Sequence, residues 1–120
     1  MKEIPEGYHI HKNGGGLVED TVTIDETVYI GPDARVSGNA QVSGNAWVSG
    51  DAWASSPLYI QGTKHSLTNS KYGHIAIGCH EHTFAYWQEH YKAIGRAEGY
   101  TKEEIEQYGL FIQMFVKIGK

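Results

Sequence analysis

The feature that most constrains this chain is a six-residue period. Residues 18 to 59 divide into VEDTVT, IDETVY, IGPDAR, VSGNAQ, VSGNAW, VSGDAW and ASSPLY. The first place holds Val18, Ile24, Ile30, Val36, Val42, Val48 and Ala54, and the row continues to Ile60. The fifth place holds Val22, Val28, Ala34, Ala40, Ala46, Ala52 and Leu58. A 3.6-residue helix drifts out of phase with such a pattern within two hexads, and a plain strand alternates every second residue. β-Branched residues at the first place suit extended backbone around an interior. Gly38, Gly44 and Gly50, followed by Asn39, Asn45 and Asp51, mark a tight bend in the central repeats, because these residue types tolerate positive φ. One short strand and one bend per hexad give a coil with flat sides.

Beyond the repeat the pattern changes. Residues 74–79 alternate, which predicts a half-buried strand with Ile75, Ile77 and Cys79 on one face. A turn near Lys71–Gly73 pairs that strand with Ser66–Ser70. Thr83 is placed to cap a helix whose inward stripe is Phe84, Trp87, Tyr91 and Ile94, ended by Gly99. Thr101 and Glu104 form a capping box for a second helix with Ile105, Tyr108, Ile112 and Phe115 inward.

The hexad pattern resembles the left-handed β-helix of the hexapeptide-repeat superfamily, in which three hexads make one triangular coil. The fold expected from it is mainly β: a short left-handed parallel β-helix of two to three coils, with a C-terminal β-hairpin and a two-helix cap. The expected organisation is one compact domain, with a capping segment at 1–17, the repeat at 18–64, a strand and hairpin segment at 65–82 and the helices at 83–120. The chain as a whole resembles small hexapeptide-repeat proteins of phage and prophage. The likeness lies in His11-Lys-Asn-Gly-Gly-Gly-Leu-Val18, the Val-Ser-Gly-Asn-Ala units, Ser56-Pro-Leu-Tyr-Ile-Gln-Gly62, Ile77-Gly-Cys-His80 and Trp87. It implies a phage-related oligomer, with a homotrimer as the usual superfamily assembly.

Sixth-place side chains point outward from such a coil. With 18 residues per turn, Tyr29 falls over Trp47, Arg35 over Trp53 and Gln41 beside Tyr59. Exposed aromatic rows are seldom left in water, so they either form an interface between copies or make a ligand platform. In the second reading Tyr29, Trp47 and Trp53 stack a planar group while Arg35, Lys64, His65 and Lys71 neutralise phosphate. Asp33 and Asp51 are expected at one shared corner.

The remaining chemistry is sparse. Cys79, His80 and His82, with His74 and His90 nearby, lack the paired spacing of a structural zinc site, and no metal or cofactor is expected. Cys79 is expected to face the core, so no nucleophile is expected. The catalytic alternative is an acyltransferase of the superfamily type, for which His65 is the candidate general base. A structural or assembly protein of a phage is the other alternative.

The formal net charge of −4 argues against a duplex nucleic acid partner. No apolar run reaches the roughly 18 residues of a membrane span. One cysteine fits a reducing cytoplasm, including that of an infected host. The function expected is that of a non-enzymatic, oligomeric binding protein, an accessory or counter-defence factor that grips a host protein or a nucleotide-like small molecule.

Overall fold

In the computed structural model, which describes residues 3–120, the apolar places of the early hexads collect in one core. The first two residues of the expected 1–17 segment lie outside the described residues. The strands are β1 (Tyr8–Ile10), β2 (Leu17–Glu19), β3 (Thr23–Ile24), β4 (Tyr29–Val36), β5 (Gln41–Val42), β6 (Trp47–Trp53), β7 (Tyr59–Gln61), β8 (Ser66–Lys71), β9 (His74–Ile77) and β10 (His80–Thr83). Two helices follow, α1 (Phe84–Ala97) and α2 (Lys102–Ile118).

The expectation of a left-handed β-helix is corrected. The described residues form a mixed α/β structure, with three small sheets in the orders β1-β2-β4-β6, β10-β9-β8-β7 and β3-β5, and among them no sheet is closed or runs as a solenoid. Parallel pairing is confined to β2–β4, β3–β5 and β4–β6, whereas every pair from β7 to β10 is antiparallel, as is β1–β2.

The physical reason lies at a single register slip. Val18 pairs with Val36, Ile24 with Val42, Tyr29 with Trp47 and Ile30 with Val48, all 18 residues apart. After Ile30 the offset falls to 17, so that Asp33 meets Gly50, Ala34 meets Asp51 and Val36 meets Trp53. Gly38 and Gly44 make their bends at φ 69° and 65°, but in the third such bend the positive φ (69°) falls on Asp51, one residue later. Trp53 thereby turns inward, 1% exposed, with its indole N–H donating to the Gly50 carbonyl at 3.0 Å. Ala52 and Ala54, which the period placed inside, are exposed. Asp33 and Asp51 are accordingly not paired.

The first two hexads lack the Gly-Asn bend, and their polar residues serve the bends of later ones. Glu19 accepts from the Gly38 amide at 2.7 Å and Asp25 from the Gly44 amide at 3.0 Å. Thr21 and Thr27 donate to the Gly38 and Gly44 carbonyls at 3.2 and 2.6 Å. Each bend therefore has both backbone groups satisfied by side chains of the neighbouring strand layer.

A second core begins where the first ends. Leu67, Ile75, Ile77, Trp87, Tyr108, Ile112 and Phe115 are buried together between the antiparallel sheet and the helices. Thr83 accepts from the Tyr86 amide at 3.1 Å to start α1, and Thr101 and Glu104 make the reciprocal capping box of α2. Asn69, fully buried, donates to the Lys71 and His74 carbonyls and accepts from the Lys120 amide at 2.7 Å, which fastens the hairpin to the end of α2.

The slip has a direct consequence for stability. Trp53→Ala should cost about 3–5 kcal/mol, the usual range for emptying a large aromatic from a core. Ala54→Asp, on the exposed position beside it, should stay within about 0.5 kcal/mol. Urea unfolding of both variants checks this, and a costly Ala54 with a tolerant Trp53 would restore the unbroken 18-residue register.

Candidate functional site

Two of the sequence candidates come together as a built surface. Tyr29 and Trp47 are cross-strand neighbours with ring centroids 3.9 Å apart and planes inclined by 15°. Tyr29 is held from the other side by the glycine loop: a Cβ on Gly14 would lie 3.0 Å from its ring and 2.2 Å from the Ile30 carbonyl oxygen. No side chain larger than hydrogen fits there. Trp47 remains 43% exposed and opens onto a groove of about 360 Å³, shared with Ala76, Gly78, Cys79, His80 and Glu81.

The groove joins the two halves of the fold. Trp47 comes from β6 and its amide donates to Thr68 Oγ1 on β8 at 3.0 Å. Ser49, two residues on, donates to Glu81 Oε2 on β10 at 2.5 Å. Burial pushes the Glu81 carboxyl up, but the hydrogen bond from Ser49, with the charges of Lys71 and His74, outweighs it and holds the group below the usual carboxylate range. The groove therefore presents an aromatic face and an ionised carboxylate.

The other candidates do not gather there. Arg35 lies over the Tyr8 ring, its Cζ 4.5 Å from the centroid. Trp53, expected outward beneath Arg35, is buried, so the Arg35–Trp53 stack is replaced by a cross-strand pairing of Arg35 with Ala52. The Gln41 backbone amide donates to Ser56 Oγ at 2.8 Å, and the Tyr59 hydroxyl accepts from the Asn45 amide at 3.1 Å. Lys64 reaches Glu104 at 4.0 Å and the Tyr100 ring at 5.6 Å. Of the four expected phosphate-neutralising residues, Lys71 alone stands beside the groove, where it acts on Glu81.

His65 belongs to a second concavity, on the other side of the β9–β10 turn. This cavity, about 30 Å³, lies between that turn and the helices, with His65, Trp87, Tyr91, Tyr100 and Tyr108 in its wall. That volume is room for about one water molecule. His65 Nδ1 is 2.5 Å from the Tyr100 hydroxyl, and the two rings stack at 5.7 Å. Burial, together with Tyr108, pushes the Tyr100 phenol well above its ordinary pKa, so it keeps its proton. The Tyr108 hydroxyl accepts from the Lys64 and His65 amides at 3.0 and 2.8 Å and donates to the His65 carbonyl at 2.7 Å. His65 is thus anchored in a structural knot.

Cys79 sits between the two concavities, and its expected core position is corrected: it is exposed in the β9–β10 turn, after Gly78 at φ 58°. Sequence reasoning missed Glu81, since β10 carries no β-branched apolar residue to announce a strand. His80 and His82 do share a face, with rings 6.2 Å apart, and His82 stacks on Tyr86 at 4.0 Å. His80 Nε2 pairs with Glu98 at 2.8 Å. Among the described residues no three His, Cys, Asp or Glu side chains are placed to hold a metal ion, and no helix is long and apolar enough to cross a membrane.

Two predictions follow from these contacts. Tyr108→Phe leaves two amides and a carbonyl without their partner and should cost about 1–3 kcal/mol in urea unfolding. The pH dependence comes from depressed groups. Burial, then the charges of His80 and His90, lowers the pKa of His82. The hydrogen bond from His80 lowers that of Glu98, and the Thr101 amide lowers that of Glu104. The unfolded chain then binds more protons than the folded one, so stability present at neutral pH is lost on acidification. The loss should begin below about pH 6.5 through His82 and deepen below about pH 4.5 through Glu81, Glu98 and Glu104. His82→Gln should remove the first stage in unfolding curves taken across this range. Greater stability at pH 5.5 than at 7.5 would contradict the assignment. In comparison with known proteins, no family model matches this chain, and no curated protein or solved structure matches it.

Proposed function

We propose that this is a non-enzymatic binding protein that captures a host protein or a nucleotide-like small molecule on the Trp47 groove. The observation that carries the reading is the exposed indole of Trp47, backed by Tyr29 at 3.9 Å and open to the groove. A ring already fixed by its neighbour presents apolar area without the entropy loss of ordering it, which is the economy aromatic contact residues offer. Glu81 at the rim favours an occupant with hydrogen-bond donors on a planar group, such as the amino edge of a base or a guanidinium. A phosphate is less suited to the groove itself, because Arg35 and Lys64 have their own ring and carboxylate partners. An accessory or counter-defence role in phage infection, in the host cytoplasm, is the setting that the sequence resemblance adds to this proposal.

The test is titration calorimetry of the full chain against a panel of nucleosides, mononucleotides and cyclic nucleotides, followed by affinity capture from host extract. At least one partner is expected whose affinity falls about tenfold or more in Trp47→Ala, the loss typical of a single aromatic anchor. Thermal melts of the variant should show a folded protein with a lowered midpoint, since the indole is 43% exposed but its stack on Tyr29, worth about 1 kcal/mol, is lost. Partners that bind Trp47→Ala as well as the parent would refute the site, and turnover of any panel compound would refute the non-enzymatic reading.

A further inference from the structure

The outer face of α2 carries large apolar side chains that lie open to solvent. Leu110, Met114 and Ile118 are 65%, 46% and 62% exposed and succeed one another every four residues, so they form one stripe. The opposite face of the same helix is the one that Tyr108, Ile112 and Phe115 bury in the second core. Charge flanks the stripe in a definite order. Glu103 lies seven residues before Leu110 and Lys117 seven residues after it, and seven residues are close to two turns. The three side chains therefore follow one line along the helix, acid, leucine, base. Glu103 and Lys117 are both exposed, and neither forms an ion pair within the chain among the described residues.

We infer that this face docks on the same face of a second copy of the chain, with the two α2 helices antiparallel and a two-fold axis passing beside Leu110. That axis sets Leu110 against its own counterpart and each Glu103 against Lys117 of the other copy, giving two equivalent charge pairs. Met114 falls opposite the aliphatic stem of Glu106. A parallel arrangement would oppose Glu103 to Glu103 and Lys117 to Lys117, which repels. Glu106 also borders a groove with Lys92, Arg96 and Lys102 of its own chain, so Glu103 is the cleaner probe of the contact. The 17 residues of α2 offer about 25 Å of helix for the seam. The face is self-complementary about a two-fold, unlike the trimer implied by the sequence resemblance. The contact is separate from the Trp47 groove and does not rest on it.

Sedimentation equilibrium of the full chain across a concentration series tests this. The parent should form a dimer, Leu110→Glu should be monomeric, and Glu103→Lys or Lys117→Glu alone should weaken association about tenfold. The double variant Glu103→Lys with Lys117→Glu should recover the parent affinity to within about threefold, although both changes oppose the helix dipole. That recovery separates pairing across the interface from loss of helix stability, and it decides the matter even if Leu110→Glu folds poorly. A monomeric parent, a trimer, or a double variant as weak as the single ones would overturn the inference.

Discussion

The structure turns on what happens at Asp51. Its positive φ moves the third bend one residue along, and its side chain then accepts from the Tyr72 amide at 2.7 Å. Tyr72 lies edge-on to Trp53 at 5.3 Å, and its hydroxyl donates to the Ala52 carbonyl. One slipped residue thus supplies the plug of the first core and the anchor of the β8–β9 hairpin. An aspartate tolerates the left-handed region at modest cost, and the hydrogen bond to Tyr72 and the buried indole offset it. The parallel backbone ladder ends with β6, and β8 is joined to β6 through side-chain hydrogen bonds instead.

The groove lies at that end of the ladder, beside Trp47. β8 runs beside β6 in the same direction, with contacts from Asn45 to Ser66, Trp47 to Thr68, Ser49 to Ser70 and Asp51 to Tyr72 all 21 residues apart, and the β9–β10 hairpin lines the groove beside the indole. The contacts across the gap are polar and specific: Trp47 to Thr68, and Ser49 to Glu81. They fix the distance between the aromatic floor and the carboxylate, so the recognition surface is positioned by sheet backbone on both sides.

How much of this was legible in the sequence depends on whether a residue sits before or after the slip. The pairing of Tyr29 with Trp47 follows from the period alone, since nothing interrupts the register between them. Trp53 occupies the same place in its hexad as Trp47, yet the period puts it on the wrong side. The difference is a backbone conformation at Asp51 that Asn39 and Asn45 do not adopt, and composition does not distinguish them. The helix caps were legible because Thr83, Thr101 and Glu104 act on amides three residues away. Glu81 was not, because its role comes from Ser49, 32 residues earlier and in another sheet. The expected solenoid failed for a related reason: repetition in sequence specifies a local layer, and how many layers stack is decided by the residue that ends them.

The three tryptophans now occupy three distinct settings. Trp53 is sealed in the first core with its N–H on a carbonyl, Trp87 is sealed in the second with its N–H on the Ile75 carbonyl, and Trp47 faces solvent. Intrinsic emission from this protein is consequently a sum of three spatially separate signals, two blue-shifted and one red. Single replacements of each indole by phenylalanine resolve the spectrum into a reporter for either core and a reporter for the open surface, with no dye attached.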